Sequence, residues 1–521
     1  MATTRPEAAP FAALIAASLT LGLSGGVHTC AIAETRIQPA VDAELVHTSN
    51  GNLNSTGPAR SDTVLSATAG LNVSLISANS SLTGQWGYRA LHSAQGLQKD
   101  SVVPNGQLNL HTDVMHQGIG LDASVSATQV QSSFAASNDS TPSSQGRYTN
   151  TEWRVGPFIE RSLDEYTSLR MRLTRGLQQS SQTDQTLVSR PSAHLRNDSL
   201  SISRRPTPLG YTLSRTWEST TVAGQDDPVL RKDATKGSLR YALSPELDLG
   251  LVAGLERTRA FPSSFLDHPR GWLLDWRPSQ RTQVSTDVEQ RFFGRSWVIS
   301  VSHRTPWMAM GLNAERVPST SLFTTGSVGA GGSTRDLFDA MLTTRIPDAQ
   351  ERSKAVDELL SSRNIPTQLS GARDFYSLTA QLRQAVSGRV AFMGRRDTWL
   401  NQAGLIKSRP LGDRGTQIIS TPVDDRLARQ YFVDSQLTHQ LTPQSSLTGG
   451  LRWSRARELI AGNEPIVSRE FSWRLAMNTT LASSTTATVG MRRVLRHSTN
   501  NTTGNANAEE AALFMGLGHR F

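Results

Sequence analysis

The chain has 521 residues, 37% hydrophobic and 19% charged, with a net charge of +9 and one cysteine. A single cysteine excludes an intramolecular disulfide and a cysteine-based metal cluster. The basic excess is almost wholly arginine, with five lysines among 53 basic residues, and it is scattered rather than gathered into a compact motif, which argues against a nucleic-acid partner.

Residues 1–33 read as a secretory signal. Arg5 lies in the n-region, FAALIAASLTLGL (11–23) forms the apolar h-region, and AIA (31–33) gives a small-x-small cleavage pattern with a mature start at Glu34. Cys30 raises a lipoprotein alternative, but His28 and Thr29 stand where small residues are expected before a lipidated cysteine. Beyond the signal no run approaches the ~18 apolar residues of a membrane helix.

The mature sequence is a long series of period-two segments. In 168–177, Leu169, Met171 and Leu173 alternate with Arg170, Arg172 and Thr174. In 247–256, Leu247, Leu249, Leu251, Ala253 and Leu255 oppose Asp248, Gly250, Gly254 and Glu256. In 446–455 and 470–479, Leu447, Leu451, Trp453, Phe471, Trp473, Leu475 and Met477 oppose a polar face that includes Arg452 and Arg474. Such alternation is the signature of strands with one apolar face. Strands of a soluble sandwich run about five or six residues, whereas a bilayer-crossing strand needs ~9–11.

The pattern predicts about 22 strands, within a range of 20–24, near 36–48, 62–78, 81–92, 105–115, 118–131, 147–161, 166–179, 187–204, 208–221, 234–243, 247–258, 271–277, 280–292, 296–305, 308–317, 373–384, 388–399, 426–441, 444–456, 466–479, 482–495 and 509–521. Short turns (77–81, 116–118, 162–165, 244–246, 441–444, 481–484) alternate with long polar links (49–61, 93–104, 132–146, 222–233, 259–270, 400–424, 496–508). That sorting is typical of bacterial outer-membrane barrels, with turns in the periplasm and loops outside. Trp153, Trp217, Trp272, Trp297, Trp399, Trp453 and Trp473 fall within strands, several near strand ends where aromatic girdles belong. The expected fold is all-β: a large antiparallel transmembrane β-barrel over 34–521, in the bacterial outer membrane. A soluble secreted β-protein is disfavoured because it has no reason to sort its loops.

Residues 318–372 break the rhythm. GSVGAGGS (326–333) is a flexible linker into two amphipathic segments joined at Ile346-Pro347, the second opened by Asp348. Leu337, Phe338, Met341 and Leu342 line one apolar stripe; Ala355, Val356, Leu359 and Leu360 line the other. Strand parity puts this helical hairpin on the outer side, between strands 15 and 16. A barrel of this size encloses a wide lumen. The hairpin is either a plug or gate in that lumen or a surface-packed loop.

The chain ends on a period-two segment, AALFMGLGHRF. Its Gly516 and terminal Phe521 resemble the signal read by the barrel-assembly machinery, with His519 departing from the usual apolar residue. Closure of this strand on the first leaves no edge unpaired in lipid.

Groups for catalysis do not converge. The eleven histidines are scattered, and no HExxH, GxSxG or GxxxxGK[ST] occurs. No catalytic residue, metal or cofactor is expected. The acidic pairs in QDDP (225–228) and VDDR (423–426) are read as turn residues, with a divalent cation the alternative. Candidate lumen charges are Arg170, Arg172, Asp248, Glu256, Asp434, Arg452, Arg474 and Arg492; the arginines either pair with the carboxylates or meet an anionic polymer.

The insertion, with "LFDA…RIPD…A" inside 336–366, resembles the uncharacterised outer-membrane barrel family associated with PEP-CTERM protein-sorting systems. That resemblance implies a non-enzymatic role in exopolysaccharide export or assembly, beside periplasmic export components. It supplies no catalytic residues. The alternatives are a porin-like diffusion channel with an arginine-lined lumen and a membrane-embedded hydrolase. Expected partners are outer-membrane lipids and lipopolysaccharide, the barrel-assembly machinery, and polysaccharide.

Overall fold

The structure, a computed structural model, describes residues 32–51, 58–115, 118–131, 147–182, 192–224, 227–260, 263–319, 323–324, 334–363, 365, 375–376, 380–411, 426–460, 465–499 and 507–521. Of the proposed signal, only Ile32 and Ala33 are described, both in the first strand.

The described strands, in chain order, begin with β1 (Ile32–Thr48), β2 (Asp62–Ser77), β3 (Ser80–Ser93), β4 (Ser101–Met115), β5 (Ile119–Gln131), β6 (Arg147–Ser162), β7 (Thr167–Gln182) and β8 (Ala193–Arg204). There follow β9 (Leu209–Val222), β10 (Leu230–Ser244), β11 (Leu247–Ala260), β12 (Ser263–Asp267), β13 (Arg270–Ser279), β14 (Thr282–Arg291), β15 (Gly294–Arg304) and β16 (Met308–Ser319). The rest are β17 (Phe323–Thr324), β18 (Phe375–Tyr376), β19 (Gln381–Met393), β20 (Asp397–Pro410), β21 (Arg426–Gln440), β22 (Ser445–Ile460), β23 (Ile466–Ala482), β24 (Thr485–Ser498) and β25 (Asn507–Arg520).

Twenty-two of these form one closed antiparallel barrel. Each pairs with the next, β11 with β13 and β16 with β19, and β25 returns to β1 from Ala40↔Arg520 to Thr48↔Ala512. The last residue belongs to this seam: Phe521 N–H donates to Pro39 O at 2.9 Å. No edge remains in the ladder, the condition for strands to span lipid.

The alternation sorts the two faces. Leu45, Leu65, Leu251, Leu451, Met477 and Met515 are exposed on the outer face, while Glu256, Arg452, Arg496 and Glu510 are buried on the inner one. A closed barrel with an apolar exterior spans a bilayer, and such barrels belong to the bacterial outer membrane. Among the described residues no helix is long and apolar enough to cross a membrane. Inner aromatics lie over glycines of the neighbouring strand. A methyl on Gly490 would meet the Phe514 ring at 2.4 Å, and one on Gly120 would meet Phe158 at 2.3 Å. This is why glycine gathers on the polar face and why a buried Phe514 is tolerated there. Trp307, Phe392 and Trp399 stack in sequence at 6.3 and 5.6 Å near the short-turn end, a girdle segment.

Ten short connections, 78–79, 116–118, 163–166, 205–208, 245–246, 280–281, 305–307, 394–396, 441–444 and 483–484, share the end that holds β1's start and β25's finish. The opposite rim carries the longer links, except for the two residues between β14 and β15.

Several boundaries differ from the sequence expectation. The strands expected at 373–384 and 388–399 run instead over β19 and β20. The expected break at 385–387 lies inside β19, and Gly388 sits mid-strand opposite Leu312 and Ala403. The turn is Gly394-Arg395-Arg396, closed by Gly394 N–H to Asp397 O at 2.7 Å. The expected link 400–424 therefore begins after Pro410. The link 259–270 contains β12, which folds back on the outer end of β11. Strand starts at Ser101, Ala193 and Leu230 replace the expected 105, 187 and 234.

Candidate functional site: the lumen wall and its helical hairpin

Two helices, α1 (Thr334–Leu342) and α2 (Ala349–Ser362), lie in the insertion between β16 and β19. Asp348 caps α2 by accepting the Glu351 N–H at 2.8 Å. Arg352 ties the helices together: Nε donates to Asp339 Oδ1 at 2.9 Å, and its guanidinium reaches Ile346 O and Pro347 O at 3.0 and 2.9 Å. Arg335 donates to Asp357 at 2.9 Å and to Ser353 Oγ at 2.6 Å.

The apolar stripes do not face solvent. Phe338, Met341, Leu342, Val356 and Leu360 are buried in one cluster with Ile365 and with Ala309, Ala391 and Leu400 of the barrel; Leu337 and Leu359 pack on it. Ala309, Ala391 and Leu400 are lateral neighbours on β16, β19 and β20. Their outward-facing neighbours Met310 and Trp399 are exposed, so these three point inward. They also lie beside the short turns 305–307 and 394–396. The hairpin thus enters from the long-loop rim but rests on the inner wall at the opposite end. Strand parity alone had put it on the outer side. Parity fixes where the insertion leaves the barrel; it does not fix where an arm of this length ends. Residues 320–333, at ~3.3 Å each, can reach across the barrel's height. Among the described residues the arms pair at Phe323↔Tyr376 and Thr324↔Phe375.

Arginines hold the hairpin at this end. Arg363 donates to Thr398 Oγ1 at 3.0 Å and to Gly394 O and Arg395 O at 3.3 and 3.2 Å. Arg304, at the end of β15, donates to Ala340 O of α1 at 3.4 Å.

All eight lumen charge candidates lie on the inward face, in three groups. On β7, Arg172 pairs with Asp122 at 3.0 Å and Glu160 at 3.6 Å, while Arg170 stands opposite Glu160. His111 Nδ1–H donates to Asp122 Oδ1 at 2.7 Å, and Arg172 stacks on Phe158. On β11, Glu256 is fully buried and bound by Arg291 and by Thr258 Oγ1, while Asp248 lies opposite Asp275, the partner of Arg240. Lys236 spans from β10 to Glu289 of β14 at 2.5 Å.

The third group lines β21–β25. Asp434 is opposite Arg452, Arg474 lies over Phe514 at 4.3 Å, and Arg492 pairs with Glu510 at 3.1 Å. Glu510 also accepts Thr48 Oγ1 at 3.0 Å across the barrel seam. Sequence reasoning missed Arg291, Glu289, Arg496 and Glu510. Strand-face parity was their available signal.

Gly516 faces inward opposite Glu44 and Thr488; Phe521 is exposed with its ring edge-on to His519 at 4.4 Å. Asp227 of the first acidic pair binds Arg259 at 3.1 Å; Asp226, Asp424 and Asp425 lie outside the described residues. Among those described, no group of three histidine, cysteine or acidic residues could hold a metal.

No family model matches the chain, and no curated protein does. Solved barrels overlap it loosely. The siderophore receptor PirA from Acinetobacter baumannii is 10% identical with a TM-score of 0.47, over 94% of this chain and 81% of PirA. The ferric enterobactin receptor PfeA from Pseudomonas aeruginosa is 10% identical with a TM-score of 0.45, over 93% and 81%. OccAB2 from Acinetobacter baumannii is 8% identical with a TM-score of 0.35, over 95% and 100%. The barrel assignment rests on the closed ladder and not on these overlaps.

Proposed function

We propose that the chain is a non-enzymatic outer-membrane conduit, narrowed by its own helical hairpin, that serves export or assembly of an extracellular polysaccharide. The observation that carries the conduit reading is the burial of Phe338 and Val356 against the inward Ala309, Ala391 and Leu400. A loop that merely decorated the outer rim would not seat its core at the periplasmic end. Polysaccharide as cargo, with periplasmic export components and the barrel-assembly machinery as partners, is supported by the likeness of the 336–366 insertion to the PEP-CTERM-associated barrels. A porin-like diffusion channel is the second reading. It is favoured by Arg170, Arg172 and Arg474, which are exposed on the inner wall and suit small anions.

Single-channel conductance in a planar bilayer tests the conduit. The intact barrel is expected to conduct weakly and the barrel lacking 326–370 to conduct in large steady steps. Equal, large conductance of both forms would remove the hairpin as an obstruction and favour the porin reading. Cargo is tested separately. Gene deletion is expected to abolish extracellular polymer with small-solute uptake unchanged; the reverse outcome selects the diffusion channel.

A further inference from the structure

The outer face of β7–β11 is apolar toward the short turns and carries charge toward the long loops. Toward the short turns this face is apolar: Leu209, Tyr211 and Leu213 on β9, Leu249, Leu251 and Leu255 on β11. Toward the long loops the same outward positions become arginine. They are Arg175 on β7, Arg196 on β8, Arg215 on β9, Arg231 on β10, and Arg257 and Arg259 on β11. Register sets Arg175 opposite Arg196 and Arg231 opposite Arg259, with Ser219 of β9 between the two pairs.

Three carboxylates hold it together. Asp198 bridges Arg175 and Arg196, Asp233 binds Arg215 at 3.1 Å, and Asp227 binds Arg259 at 3.1 Å. Trp217 lies between Arg196 and Arg231, at 5.2 and 4.3 Å from its ring. Among the described residues six guanidiniums thus face three carboxylates, and the paired arginines keep 45 to 60% of their side-chain surface exposed. On β1–β4 the corresponding outward positions are His47, Thr63, His92 and Val102, whereas β21–β23 repeat arginines at Arg429, Arg455, Arg457 and Arg469 without, among the described residues, the carboxylate bridges of β7–β11.

We propose that this patch binds the phosphate groups of a phosphorylated glycolipid in the outer leaflet. The apolar belt below it would take the acyl chains, and the arginine row stands at the level where headgroups begin. Guanidinium is planar and binds phosphate with paired N–H donors. Carboxylates on alternate sides keep the forks spread, and Trp217 suits the interface. A second copy of the chain is a poor occupant, because two such faces would set excess positive charge against itself.

The test uses the full mature barrel in detergent and native mass spectrometry with three probes: bisphosphorylated lipid A, its dephosphorylated form, and inorganic phosphate. The comparison is wild type against the triple variant Arg196→Gln, Arg215→Gln, Arg231→Gln, with insertion checked by heat-dependent gel mobility. The phosphorylated lipid is expected to bind the variant about tenfold more weakly or worse. Equal binding by the triple variant, equal binding of dephosphorylated lipid, or displacement of the lipid by millimolar phosphate would overturn the proposal. So would protein dimers that the triple variant abolishes. Should the triple variant fail to insert, a salt titration of the wild type decides: binding that falls with ionic strength supports the site, and flat binding overturns it.

Discussion

Two stretches of the inner wall are built on opposite principles. Beneath the hairpin, at the short-turn end of β16, β19 and β20, the wall is apolar: Ala309, Ala391 and Leu400 are each 1% exposed or less. Across β23–β25, toward the long loops, it is charged: Glu470, Arg496 and Glu510 are each 2% exposed or less. A lumen wall is ordinarily polar because water fills it. The charged stretch satisfies that rule internally, through pairs such as Arg492–Glu510. The apolar stretch breaks the rule, and the chain covers the breach with two helices from its own insertion. The difference teaches that an apolar run on an inward barrel face marks a docking place and is not a patterning error.

The comparison breaks most visibly if the hairpin is unseated without being removed. Phe338→Asp places a carboxylate in a fully buried apolar site, at a cost of several kcal/mol. That exceeds what the Arg363 and Arg304 contacts return. Conductance is expected to rise toward that of the 326–370 deletion, with barrel insertion unchanged. A variant that stays as closed as the intact protein would mean that the apolar contact does not hold the hairpin.

The charged wall is probed at adjacent residues. Glu510→Gln removes a buried carboxylate that binds Arg492 and Thr48 at the β25–β1 seam and is expected to destabilise the barrel by about 3 kcal/mol. Glu509→Gln removes an exposed outer pair with Arg493 and should cost about 0.5 kcal/mol or less. Urea unfolding of the refolded barrel measures both. Equal costs would show that burial does not distinguish the two faces here.

Much of this organisation was legible in the sequence. Strand periodicity and loop sorting located a closed barrel of 22 strands, because period two and link length are local properties. The hairpin was legible as a break in the rhythm, since Phe338 and Val356 sit on stripes no strand would carry. Its seat was not legible. Ala309, Ala391 and Leu400 lie far apart in sequence, and each looks like an ordinary alternating position until register aligns them. The outer arginine row was hidden for a related reason. Arg175 falls on the apolar face with Leu169, Met171 and Leu173, where a lone exception reads as noise. Only lateral pairing shows that neighbouring strands share the exception. The shift of β19 and β20 was hidden in the same way: the expected break at 385–387 falls inside β19, where Ala385 and Ser387 pair with strands on both sides.

The smallest expected effect lies in a turn that belongs to neither wall. The Asp164 carboxylate accepts the N–H groups of Tyr166 and Thr167, both at 2.7 Å, closing the link between β6 and β7. The Tyr166 N–H, followed by the Thr167 contacts, holds its pKa below the usual carboxylate range. A depressed folded-state pKa means the contribution is complete above the unfolded value near 3.8 and is lost as pH falls through the folded value. Between neutral pH and pH 5 this turn should therefore be insensitive to acid, and amide exchange at Tyr166 and Thr167, taken relative to the unstructured chain at the same pH, should rise only below about pH 4. Asp164→Ala should raise that exchange at every pH while leaving conductance and the Glu510 seam untouched. Raised conductance in that variant would mean that the short turns help set the width of the periplasmic mouth, and the two walls could then no longer be treated as independent.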